Sequence, residues 1–220
     1  MAKEFTVRLR GNTVTVTEDM RNLVLAEMPE IGWIESEDLR TKVLNAWAAA
    51  LAASGISAIG ELRPSGNYDS APLRHGTQAD HIRSVTRLAV KLAEEMDGLF
   101  PAFSYDRDIL VAGSLCHDIG KVWEFDPENL RRWRDHPEKA GLPSIRHPGF
   151  GVHICLTCDL PEAVAHMAGA HSGEGELLLR SLENTILRWA DHSFWKIAEA
   201  GGQLHDSAGN DEPLRSVPRP

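Results

Sequence analysis

Leu115-Cys116-His117-Asp118-Ile119-Gly120-Lys121 is the stretch that decides how this chain reads. An imidazole and a carboxylate stand side by side where an apolar helix, capped within Ser104 to Asp106, ends near Cys116. At such an ending the two side chains can converge on one cation. Neutral imidazole nitrogen together with carboxylate oxygen suits Fe, Mn, Zn, Co or Ni. A single His-Asp pair is also a common helix ending with a solvent-facing Asp. The weight therefore falls on what else in the chain points the same way.

Upstream, a helix beginning near Ala79 carries Ile82, Val85, Leu88, Ala89, Leu92 and Met96 on one face and stops at Gly98; His81 shares that face. Downstream, Leu182 to Ala200 reads as a long amphipathic helix closed by Gly201. Asp191 falls on its apolar stripe, between Leu187 and Phe194. A carboxylate there costs several kcal/mol unless it is paired or binds metal. Arg188 is the structural alternative as its partner. His147 precedes Pro148, which suits the first turn of a helix running to about Cys158. His171 ends the helix that Pro161 opens, just before Ser172-Gly173-Glu174. Six such residues lie on successive helices, each at an inward position or a helix end. A bundle that projects ligands inward from several helices is an ordinary way to build a metal site.

The order His81, His117-Asp118, Asp191 resembles the H…HD…D pattern of the HD superfamily of metal-dependent phosphohydrolases. Asp80-His81-Ile82-Arg83-Ser84-Val85 is similar to that family's first-ligand helix. Leu115 to Lys121 is similar to its central motif, and Ile186-Leu187-Arg188-Trp189-Ala190-Asp191 to its last-ligand helix. His147 in Arg-His-Pro-Gly-Phe-Gly and His171 in Ala-His-Ser-Gly-Glu resemble the branches that bind two metals, among them HD-GYP proteins, certain dinucleotide phosphatases and HD-type exoribonucleases. The resemblance spans about residues 72 to 200. It implies an all-α HD-domain helical bundle and, as cofactor, one or two divalent ions: Fe, Mn, Ni, Co or Zn, with Mg as a further option. By this resemblance His81, His117, Asp118 and Asp191 hold the first ion, and Asp118 bridges to a second held by His147 and His171. His75 and His166 are the spare ligands. There are two departures. Ser172 follows His171 where the two-metal branches often have a second histidine, so the second ion is one imidazole short. The Gly-Tyr-Pro signature is missing, so cyclic di-GMP hydrolysis is not carried over.

Two ions roughly 3.5–4 Å apart activate a shared water near neutral pH and neutralise charge on phosphoryl oxygens. The resemblance thus implies hydrolysis of a phosphate ester, with Asp118 central to catalysis. Lys121 follows closely enough to meet a phosphate oxygen as a point charge. Arg131, Arg132 and Arg146 are candidates to grip further phosphates. They lie in residues 123–146, which read as an irregular excursion over the site. Trp123 and Trp133 either stack on a base or pack. Two rival readings stay open. One is an HD-type di-iron oxygenase, whose ligand set is similar. The other is a non-catalytic nucleotide-sensing or partner-binding module, a kind that usually loses ligands.

In the first 70 residues, Phe5, Val7 and Leu9, then Val14 and Val16, alternate on either side of Gly11-Asn12, which predicts a short β-hairpin. Thr17 caps a helix to about Met28. Ser36 caps another, with Leu39, Val43, Trp47 and Leu51 on one face and Gly55 at its end. Three parts result: an extension over 1–70 of unknown role, an HD-type catalytic domain over 71–203, and a tail over 204–220 that reads as disordered. The net charge of −9 argues against sequence-independent binding to duplex nucleic acid. A small phosphorylated substrate or nucleotide is the expected partner, and a homodimer is compatible. No apolar run approaches the ~18 residues of a membrane span, and no signal-peptide core opens the chain. No membrane partner and a cytoplasmic location are therefore expected. Cys116, Cys155 and Cys158 read as small buried hydrophobes.

Overall fold

The structure, a computed structural model, describes residues 5–67 and 70–205. It opens with a hairpin of β1 (Phe5–Leu9) and β2 (Asn12–Val16), in which Phe5 lies opposite Val16 and Leu9 opposite Asn12. Arg10 and Gly11 make the two-residue turn, both with positive φ, 54° and 80°. That geometry matches the right-handed twist of the strands. Asn12 thus opens β2 rather than sitting in the turn. Strand alternation turns Val7, Leu9, Val14 and Val16 inward.

Ten α-helices follow among the described residues: α1 (Glu18–Glu27), α2 (Glu37–Ala52), α3 (Gln78–Leu99), α4 (Arg107–Cys116), α5 (Lys121–Glu124), α6 (Pro127–Asp135), α7 (Pro137–Ala140), α8 (His147–Thr157), α9 (Glu162–Ala170) and α10 (Leu182–Ala200). The fold is the expected helical bundle with a small hairpin. Side-chain caps set several starts: the Thr17, Ser36, Asp106 and Ser181 side chains each accept a main-chain N–H from the first turn. Residues 123–140 are mostly helical, and the irregular part is confined to 141–146. Asp126 accepts the N–H groups of Glu128 and Asn129, Pro127 starts the turn, and fully buried Trp133 anchors α6.

The centre of the bundle is α4, buried from Leu110 to Cys116, with α2, α3, α9 and α10 around it. The larger apolar core joins the hairpin, α1 and α2 to α4, α8 and α9. A smaller one joins Val85, Ala89 and Ala93 of α3 to Leu110, Met167, Leu187 and Ala190. The N-terminal segment therefore shares the core of the bundle. Trp47 is fully buried and donates from Nε1 to the Leu115 carbonyl at 3.1 Å, two residues before the His-Asp pair. Burying a side chain of that size contributes roughly 2–3 kcal/mol.

The buried face of α3 is rotated from the one expected. Leu88 and Leu92 are 38% exposed and Met96 37%, whereas Val85, Ala89, Val90 and Ala93 are buried. Small residues let α10 and α4 approach α3 closely, and the larger leucines flank the contact. At the other end of the chain, Leu204 bridges Leu73. The His205 N–H donates to the Pro72 carbonyl at 2.9 Å, which ties the end of the described chain to the loop before α3. Residues 206–220, the remainder of the expected tail, lie outside the described residues. Cys116, Cys155 and Cys158 are buried and unpaired. Among the described residues no helix is long and apolar enough to cross a membrane.

Candidate metal centre

A capping box between Thr77 and Asp80 starts α3 and sets Gln78 and His81 three residues apart on its inner side. Helix α4 ends at His117, whose Nδ1–H donates to its own last-turn carbonyl, Ser114, at 2.6 Å. Helix α9 ends the same way: His171 Nδ1–H donates to the Ala168 carbonyl at 2.9 Å. His147 opens α8, and its Nδ1–H donates to Glu124 Oε2 at 2.6 Å. The corner after Asp118 requires Gly120. A Cβ there would lie 1.9 Å from the His147 carbonyl oxygen and 2.7 Å from the Gly151 nitrogen, so only glycine lets the corner press against α8.

These elements bring all six expected ligands to one buried point. Asp118 Oδ2 lies 3.2 Å from His117 Nε2 and 3.3 Å from His81 Nε2. Asp118 Oδ1 lies 3.4 Å from His147 Nε2 and 3.7 Å from His171 Nε2. His81 Nε2 is 3.4 Å from His117 Nε2 and 3.4 Å from Asp191 Oδ1; His147 and His171 meet Nε2 to Nε2 at 3.3 Å. Around an ion with bonds of about 2.0–2.2 Å, neighbouring ligand atoms sit roughly 2.8–3.6 Å apart, close to this spacing.

The chemistry of the donor set also fits a cation. In neutral His117, His147 and His171 the Nδ1 proton is committed to an acceptor, so each Nε2 presents a lone pair. These lone pairs face one another and the Asp118 oxygens, acceptor against acceptor. Only a proton or a cation between them relieves that arrangement. Two groups of three, His81 with His117 and Asp191, and His117 with Asp118 and His171, have ligand atoms all within 4.8 Å of one another.

The HD domain family model matches residues 79–193. The chain belongs to the HD domain family. A curated relative, dihydroneopterin 2',3'-cyclic phosphate phosphodiesterase of Methanocaldococcus jannaschii, is 25% identical over 185 residues, covering 81% of this chain and 71% of that protein. No solved structure gives a significant match. Family membership and this relative support a metal-dependent phosphohydrolase.

Electrostatics in the HD site follow from burial and neighbours. Burial pushes the Asp118 carboxyl upward, but Lys121 and His117 beside it outweigh this and hold it well below its usual range. Burial, reinforced by His117 and His147, holds His171 well below its usual value. Burial also lowers His81, against the pull of Asp118. For His117 burial is outweighed by Asp118, and the value rises. Burial raises Glu124, yet the hydrogen bonds from His147 leave it below the usual carboxylate range. Asp191 Oδ1 has no hydrogen-bond partner among the described residues. Arg188 pairs instead with Glu176, at 3.3 Å, so the structural ion pair weighed for Asp191 does not form.

The HD centre opens into a cavity of about 890 Å³, lined by Asp118, His171 and Asp191 and by Arg146, Arg188, Trp195 and Lys196. Arg146 is thus brought to the site. Arg131 and Arg132 are exposed on α6 and do not line this cavity. Lys121 is 1% exposed and points inward. Its Nζ donates to the Ser65 carbonyl at 2.6 Å and pairs with Asp118 Oδ2 at 2.8 Å. His75 is exposed, and His166 accepts the Ser181 N–H at 3.2 Å; neither joins the cluster.

Sequence reasoning passed over Gln78, Glu124, Trp195 and Lys196. Gln78 Nε2 donates to Asp118 Oδ2 at 2.7 Å; its place three residues before His81 was the available signal. Glu124 is a carboxylate between apolar Val122 and Phe125, an oddity of the same kind as Asp191. Trp195 and Lys196 lie one helical turn beyond Asp191. Trp123 packs on Phe150 with ring centroids 4.4 Å apart, and Trp133 is fully buried, so both serve packing.

Proposed function

We propose that this HD protein hydrolyses a phosphodiester of a small, ring-bearing metabolite, with a cyclic phosphate as the leading case. One observation carries the reading: six buried candidate ligands, acceptor facing acceptor, open into a cavity whose wall carries Arg146, Arg188 and Lys196, with Glu174 and Glu199 among them, and an indole. Its volume falls within the range typical of small-molecule sites. His81, His117, Asp191 and Asp118 Oδ2 would hold one ion, and His147, His171 and Asp118 Oδ1 a second. Bound there, the ions supply Lewis-acid stabilisation and lower the pKa of water.

The chain's own residues do the rest. Gln78 and Lys121 hold the Asp118 carboxylate in place, so its two oxygens address the two halves of the site. Arg146, Arg188 and Lys196 each pair with a glutamate: Glu174, Glu176 and Glu199. An arriving phosphate can take over these cations as partners. Trp195 offers a face to a ring. The relative is named for dihydroneopterin 2',3'-cyclic phosphate, a substrate that joins a ring to a cyclic diester. In the reaction, water adds to phosphorus, one ester P–O bond breaks, and the leaving oxygen takes a proton. The product is a monoester.

The test is an incubation of Mn(II)- or Fe(II)-reconstituted protein with 2',3'-cyclic nucleotides, dihydroneopterin 2',3'-cyclic phosphate and bis(p-nitrophenyl) phosphate. It is run with and without oxygen and followed by phosphorus NMR. Diester-to-monoester conversion at equal rates in both atmospheres is expected. Turnover only with oxygen would point to the di-iron oxygenase reading. No turnover of any diester would remove the hydrolytic one.

A further inference from the structure

Three of the four metal-facing imidazoles have unremarkable support. His117 and His171 donate from Nδ1 to neutral main-chain carbonyls. His81 Nδ1 has no hydrogen-bond partner among the described residues; its ring is held between Phe194 and Trp195, each with a centroid 4.7 Å away. His147 differs. Glu124 Oε2 accepts both its Nδ1–H, at 2.6 Å, and its main-chain N–H, at 2.7 Å. Glu124 is fully buried, and its other oxygen has no hydrogen bond; the nearest charge is Arg146 Nε at 3.7 Å. A carboxylate is costly to bury in this way. Packing alone does not account for it, because a leucine at this point of α5 would fill similar space without that cost.

The position has a further meaning. Resting on the two-metal reading above, the His81 side offers two imidazoles, Asp191 and one Asp118 oxygen. The His147 side offers only two imidazoles and the other Asp118 oxygen. We infer that Glu124 is the positioning residue of this poorer half: it fixes the His147 ring and tautomer, strengthens Nε2 as a donor, and so retains the second ion. A carboxylate behind a metal-bound imidazole raises ligand basicity, and its loss typically weakens binding ~10–100-fold.

The experiment titrates metal-stripped, full-length protein with Mn(II), counting bound and free ion by electron paramagnetic resonance, for wild type, Glu124→Gln and His147→Ala. Glutamine keeps the shape and an acceptor for Nδ1–H but lacks the charge. Wild type is expected to bind two ions. Glu124→Gln should bind one at unchanged affinity and the other about 10–100-fold more weakly, with an unchanged thermal melt. Wild-type affinity for both ions in Glu124→Gln overturns the role of Glu124, as does equal weakening of both. One ion or none in wild type overturns the two-metal reading itself. A second measurement needs no variant at position 124. In Zn(II)-loaded protein carrying labelled histidine, one Nδ1–H proton should resonate far downfield of the others and vanish in His147→Ala. Its absence from wild type also overturns the inference.

Discussion

The two halves of the centre share Asp118 and are otherwise built on different plans. On one side α3 and α10 bring His81 and Asp191, and aromatic rings hold the imidazole. On the other, α8 and α9 bring His147 and His171, and hydrogen bonds hold both imidazoles. Each half has one carboxylate besides Asp118. The first points Asp191 into the centre; the second places Glu124 behind the ligand. The difference teaches that a donor set read only by what faces the ion undercounts the second half. Ser172 stands where the resemblance offers a further imidazole, and on the same side Glu124 places a carboxylate behind His147 Nδ1, at 2.6 Å.

Asp118→Ala is the largest way to break this comparison, because it removes the one group both halves use. It should strip both ions and lower diester turnover by roughly three orders of magnitude or more, read by elemental analysis and a rate assay. Retained metal and rate would contradict a shared bridge. Next come His81→Ala and His171→Ala, measured side by side. Each should remove or weaken one ion and leave the other, with turnover down about 100-fold or more. Loss of both ions in either variant would mean the halves are not separable. Gly120→Ala acts on the frame of the second half, where the added methyl would meet the His147 backbone. It should cost on the order of 2–3 kcal/mol in denaturant melts and weaken the His147-side ion before the other.

The smallest effect lies at Asp126, two residues beyond Glu124. Burial raises its carboxyl, but the Gly55 N–H, Arg10 and the Asn129 N–H outweigh that and hold it below the usual range. A folded-state value lower than the unfolded one gives stability that is present above about pH 4 and is lost as pH falls through the folded value. Asp126→Asn should therefore cost about 1–2 kcal/mol at pH 7, with the gap to wild type closing below pH 4 in thermal melts. A gap that does not change with pH would mean that the carboxylate charge contributes nothing there.

Much of this was legible in the sequence because it depends on local rules. Caps at Thr17 and Ser36, the cap within Ser104 to Asp106 and the stripe of α10 set helix bounds from neighbouring residues alone. The six candidate ligands, which the structure brings together, were legible as a set because each sits at an inward position or a helix end within a recognisable motif. What escaped depends on partners distant in the chain. Glu124 matters only because it meets His147, and Gln78 only because it meets Asp118. Arg131 and Arg132 have the right charge but lie on an exposed helical face. Leu88 and Leu92 are more apolar than Ala89 and Ala93, yet close helix packing selects the smaller residues. Fold class follows from periodicity, while the supports of a site follow from contacts that periodicity does not encode.

The most direct measurement is anomalous diffraction from crystals of the Mn(II)-loaded protein at the manganese edge. The expected result is two peaks, one among His81, His117 and Asp191 and one between His147 and His171, with Asp118 touching both. A single peak, or metal bound away from Asp118, would contradict the two-halved centre.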